Sequence, residues 1–94
     1  MPTTHASGFA ELKTEIAAQI AAQLGFDPKS PPVNVDDNQA AEVLDLKPKT
    51  LAVWRSTGRY NLPYLKVGRT VKYRISDLAE FLARRTANHT GEVV

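Results

Sequence analysis

Between Leu46 and Ser76 the chain carries eight basic side chains and no acidic one: Lys47, Lys49, Arg55, Arg59, Lys66, Arg69, Lys72 and Arg74. A segment this basic either stays a solvated arm or folds with its charge displayed on a surface. The same segment holds Leu51, Val53, Trp54, Leu62, Leu65, Val67, Val71, Tyr73 and Ile75, enough apolar material to fold. A structured basic surface follows, and it attracts polyanions whatever the charge of the whole molecule. That total is only +2, because residues 1–45 set two bases against seven acids.

The segment changes periodicity halfway. Asp36 or Asp37 is placed to cap a short helix over Asn38 to Leu44, with Ala40, Ala41, Val43 and Leu44 as its apolar face. Lys47 precedes a proline and is pushed out of the helical region, while Pro48 suits the first turn of a second helix running to about Ser56 and stopping near Gly58. Two short helices joined by a tight turn make a helix-turn-helix. Tyr64–Val67 and Thr70–Ile75 then alternate apolar and polar residues about Gly68-Arg69, which predicts a hairpin. The alternation is expected to put Leu65, Val67, Val71, Tyr73 and Ile75 on the core and Lys66, Lys72 and Arg74 outward, as a DNA-contacting wing needs.

Ser76 is expected to cap a last helix with Leu78, Phe81 and Leu82 facing inward. Arg84 and Arg85 fall in its final turn, where they either complement the helix dipole or contact phosphate. Upstream, Phe9, Leu12, Ile16, Ile20 and Leu24 recur at helical spacing, and Gly25 marks the stop. This helix either packs on its own body or carries a partner contact. The organisation expected is a tail and amphipathic helix over 1–25, a proline-rich linker over 26–32, the body over 33–86 and a flexible tail over 87–94.

Ninety-four residues bury about 60% of their unfolded surface, which leaves little room for a catalytic pocket beside a core. No acid pair, phosphate-loop glycine run or Ser/His pattern points to an enzyme, and no catalytic residue is assigned. The chain has no cysteine, and His5 and His89 lie at opposite ends as exposed tail residues, so neither metal nor cofactor is expected. Without a signal sequence or a long apolar span, the chain is expected in the cytoplasm and not in a membrane. RNA is disfavoured, because the body lacks an exposed aromatic platform.

The stretches Asp36–Leu44, Lys47–Arg55, Gly58-Arg59, Leu62-Pro63, Lys66–Arg69 and Tyr73–Leu78 together resemble the small excisionase and AlpA-like helix-turn-helix proteins related to the MerR DNA-binding domain. The resemblance spans residues 33 to 86. It implies a mainly α fold with a small β-hairpin, a winged helix-turn-helix, to which an N-terminal helix has been added. It also implies double-stranded DNA as partner, read by the second helix in the major groove and by the wing on the backbone or minor groove. Proteins of this kind are bacterial or phage-encoded, on mobile elements, and act in DNA recombination as excisionases beside an integrase or in transcription regulation as small regulators. A homodimer or a cooperative oligomer on DNA is compatible with both. An adaptor working through the N-terminal helix is the remaining alternative.

Within that frame Lys49, Thr50 and Arg55 are the hydrogen-bonding candidates on the recognition helix, and Lys47 at its start suits a phosphate. Val53 either packs on a thymine methyl or joins the core. Arg69 sits at the wing tip, where an arginine enters a narrow minor groove, with Lys66, Lys72 and Arg74 flanking it on phosphates. Arg59 either adds a phosphate contact or packs over its loop. The expected core is Leu44, Leu51, Trp54, Leu65, Val71, Tyr73, Ile75, Leu78, Phe81 and Leu82, with stacking of Trp54 on a base as the lesser reading.

Overall fold

The computed structural model describes the backbone of residues 4–27 and 29–93 and the side chains of residues 8–27 and 29–86. The side chains of His5 and His89 lie outside the described residues. Among the described residues the chain forms four helices, α1 (Thr4–Gln23), α2 (Asp37–Leu44), α3 (Pro48–Thr57) and α4 (Ile75–Val93). Three strands, β1 (Asn34–Asp36), β2 (Leu65–Val67) and β3 (Thr70–Arg74), form one antiparallel sheet in the order β1-β3-β2. A winged helix-turn-helix with an added N-terminal helix is the architecture observed.

The helix ends follow local chemistry. Asp36 is the N-cap of α2, where its Oδ1 accepts a 2.7 Å bond from the Gln39 N–H while Gln39 Oε1 accepts a 3.0 Å bond from the Asp36 N–H, a capping box. At the other end Asp45 takes the left-handed conformation (φ 58°), and the Leu46 N–H reaches Ala41 O at 2.8 Å. The same Schellman closure ends α1, with Gly25 at φ 83° and the Phe26 N–H on Ala21 O at 2.8 Å. Phe26 is half-buried on the core, so the chain leaves α1 anchored rather than as a free linker. Pro48 opens α3, and Gly58 closes it at φ 71°.

Three elements differ from expectation. Strand β1 was not anticipated: three residues carry little local signal, and it forms because Val35 pairs with Tyr73 in the middle of the sheet. The last helix begins at Ile75, directly after β3, so Ser76 lies inside its first turn instead of capping it. It also continues past Arg84 and Arg85 to Val93, through residues that contain no proline, and the expected tail over 87–94 is helical in backbone up to that point. Helix α1 likewise starts before Phe9, at Thr4.

The core is one cluster to which all four helices and strands β1 and β3 contribute. Leu51, Tyr73, Leu78 and Val35 are its largest fully buried side chains, with Ile75 and Phe81 beside them, and Leu44, Trp54, Val71 and Leu82 pack on it half-buried. Helix α1 adds Ile16 and Ile20 by lying along α4. Lys13 of α1 donates a 3.3 Å bond to Glu80 of α4, and Arg84 crosses the Phe9 ring at 5.9 Å. The N-terminal helix therefore packs on its own body. Leu65, expected in the core, is half-buried and stands outside this cluster.

Candidate nucleic-acid interface

Leu51 is completely buried and sets the inward direction of α3. At 3.6 residues per turn, Lys49, Val53 and Ser56 then point away from the body, with Ala52 and Thr57 at the edges. All five are exposed, and Val53 keeps 49% of its surface. Thr50, a predicted hydrogen-bonding candidate, is half-buried at the margin of that face. The hydroxyls of Ser56 and Thr57 both donate back to Val53 O, at 3.2 and 2.9 Å.

Arg55, read from the sequence as a base-contacting side chain, is turned inward. It stands four residues after Leu51 and so shares the buried side of the helix. Its Nη1 donates to Asp37 Oδ1 at 2.9 Å and to the Tyr73 hydroxyl at 2.7 Å, and its guanidinium lies 5.9 Å from the Tyr64 ring. Only 19% of its side chain is exposed. Burial alone lowers the Arg55 pKa, but the hydrogen bonds to Tyr73 and Asp37 outweigh it and hold the guanidinium above its usual value. For Tyr73 burial dominates and raises the phenol's pKa, with the Arg55 bond opposing. One guanidinium thus ties α3 to the start of α2, to the central strand and to the root of the wing. From the sequence Asp37 is only a candidate helix cap, and Tyr64 and the Tyr73 hydroxyl carry no local signal of this role. The spacing of Arg55 from Leu51 was the available signal.

At the start of α3, Lys47 is the N-cap residue without a side-chain cap bond, and no acidic residue stands in the first turn. Lys47 and Lys49 are both exposed there. Helix dipoles favour anions at this end by about 0.3–1 kcal/mol and disfavour cations correspondingly.

In the wing, Gly68 at φ 63° is followed by Arg69 without a positive φ, the pattern of a two-residue turn with glycine first. That turn puts Val67 opposite Thr70, Lys66 opposite Val71 and Leu65 opposite Lys72. Directly opposed residues share a face. Leu65 and Val67 therefore lie on the outer face with Thr70, Lys72 and Arg74, and Lys66 lies on the side of Val71 and Tyr73, beyond the edge of the core. The predicted sides of β2 are reversed, because alternation within one strand does not say which set faces inward, while the turn does. Val67 is 60% exposed as a result. Lys66, Arg69 and Arg74 are exposed, whereas Lys72 is half-buried on the central strand between Asp36 and Leu65.

The link from α3 to the wing is strained. Tyr60 (φ 66°) and Asn61 (φ 52°) are both left-handed, a conformation that costs about 1–3 kcal/mol per non-glycine residue. The Tyr60 ring is held at 4.6 Å from Trp54, with the Arg59 and Arg85 guanidinium groups each at 5.4 Å. Arg59 is thus exposed but packed over its loop, and Arg85 lies 3.8 Å from the Phe81 ring. Among the described residues Lys47, Lys49, Arg59, Lys66, Arg69, Lys72 and Arg74 form no ion pair. No group of three or more metal-ligating side chains stands together among the described residues, and no described helix is long and apolar enough to cross a membrane.

No curated protein and no solved structure matches the chain. The helix-turn-helix domain family matches residues 36–86, which is more than half of the sequence and includes α2, α3, the hairpin and the first part of α4. With its two short helices closed by a capping box and a glycine, and a basic hairpin behind them, the chain belongs to the helix-turn-helix domain family, a DNA-binding module.

Proposed function

We propose that the protein binds double-stranded DNA sequence-specifically as an excisionase of a mobile element, a relative of the AlpA-like and MerR DNA-binding proteins. It sets the outer face of α3 in the major groove and the wing against the backbone or minor groove. The observation that carries the DNA-binding step is the pair Lys47 and Lys49, exposed, unpaired and stacked on the positive end of α3. Such charges repel the helix end in the free protein and are offset by a phosphate seated there. Arg69, Lys66 and Arg74 extend the contact along the wing. Arg55 positions α3 and is not a base reader in this arrangement.

The protein acts without catalysis, alongside an integrase and as a dimer or cooperative oligomer on its site. Packing of α1 on α4 weighs against an adaptor role for that helix, since its apolar side is already covered.

Anisotropy titrations with duplexes selected from random DNA, against unselected duplex, test the DNA reading. Failure to bind any duplex overturns it. Circular-permutation gels on the selected site then separate the two activities: a strong bend supports excision, and an unbent promoter site makes the protein a transcriptional regulator.

A further inference from the structure

The exposed face of α3 is unusual for what it lacks. Arg55, the helix's one guanidinium, is spent on Asp37 and Tyr73. Ser56 and Thr57 turn their hydroxyl protons back onto Val53 O. Lys49 remains as a free donor, and the middle of the face is methyl surface from Ala52 and Val53. A β-branched residue lowers helix propensity, and a side chain left 49% exposed recovers little of that by burial. Val53 gains little there in the free protein.

We infer that Val53 reads thymine, packing its isopropyl group on the 5-methyl group in the major groove, so that thymine contact rather than guanine hydrogen bonding sets the preference of α3. Thymine is the base that presents a methyl group in that groove, and apolar side chains recognise it by contact. The unpaired bases at Lys47, Lys49, Lys66, Arg69 and Arg74 identify a polyanion as the occupant of the surroundings, and the recognition helix of a bound duplex is where Val53 sits. The inference rests on the DNA-binding reading above. Lys49, one helical turn before Val53, has the adjoining phosphate or base edge within reach of the same insertion.

The test uses the full chain and a duplex selected from a random library, synthesised once with thymine and once with uracil at each thymine position. Uracil keeps every hydrogen-bonding edge and removes only the methyl group. The expected result is about fourfold weaker binding for each contacted methyl that is removed. In Val53→Ala, which is exposed and gains helix propensity, the difference between thymine and uracil duplexes should disappear. A selected site without thymine, or equal binding of both duplexes by the natural chain, overturns the inference while the DNA reading stands. A difference that persists in Val53→Ala assigns the methyl contact to another residue and equally overturns it. Absence of any duplex binding overturns both.

Discussion

The Arg55 guanidinium donates a 2.7 Å hydrogen bond to the Tyr73 hydroxyl, joining α3 to β3, the central strand of the sheet. Tyr73 itself is only 1% exposed, so its hydroxyl depends on this partner, and Asp37 completes the arrangement from the first turn of α2. Helix α3, the start of α2 and strand β3 are joined by one side chain.

Arg55→Ala leaves Asp37 and the buried Tyr73 hydroxyl without their donor. Hydrogen bonds to charged groups contribute about 1.5–3 kcal/mol, so a loss near 2 kcal/mol is expected, or a Tm lower by about 10 °C. Urea unfolding measures it. Because α3 loses its setting rather than a base contact, binding should weaken on selected and random duplexes by the same factor, and a change in preferred sequence would return Arg55 to the groove.

Stability should fall in alkali through Tyr73. Burial raises its pKa in the fold, so as pH climbs past the unfolded value of 10.0 the unfolded chain releases the phenolic proton first. The contribution is complete below that pH and is lost as pH approaches the folded value. Urea midpoints between neutral pH and about pH 11 should fall more steeply for the natural chain than for Tyr73→Phe.

Glu80 carries the opposite sign. Its hydrogen bonds from Arg84, and then from Lys13, hold its pKa below the usual 4.5. The clamp between α1 and α4 is therefore complete above that pH and loosens as pH falls through the folded value. The effect is small, because all three side chains are well solvated. Glu80→Gln should remove it, seen as a flatter thermal midpoint across the acid range.

Ile20 is 2% exposed where α1 meets the rest of the core. Ile20→Ala should cost about 2–4 kcal/mol by the methyl groups lost and the cavity left. Denaturant unfolding that shows no loss would mean that α1 is not seated on the body in solution.

Binding should weaken with salt. About four phosphate contacts give a slope of log affinity against log salt near −3 to −4, and removing one by Arg69→Ala should reduce it by about 0.9. A slope unchanged by Arg69→Ala would take the wing tip off the DNA.

Helices α2 and α3 were readable from residues close together in sequence: Asp36 with Gln39, Pro48, and Gly58 each act within one turn of backbone. The hairpin was readable for the same reason, since Gly68 alone permits its turn. The basic character of residues 46–76 is likewise a property of composition.

What only the tertiary structure decided depends on partners distant in the chain. Strand β1 exists because Tyr73 lies across from Val35, and the faces of Lys66, Leu65 and Val67 follow from cross-strand register. Arg55 looks like a reader as a residue type, yet Asp37 and Tyr73, each 18 positions away, draw it inward. Local sequence sets where backbone hydrogen bonds start and stop. The direction of a side chain is set by what stands opposite it, and in this protein that turned Arg55 inward and left Lys49 and Val53 on the exposed face of α3.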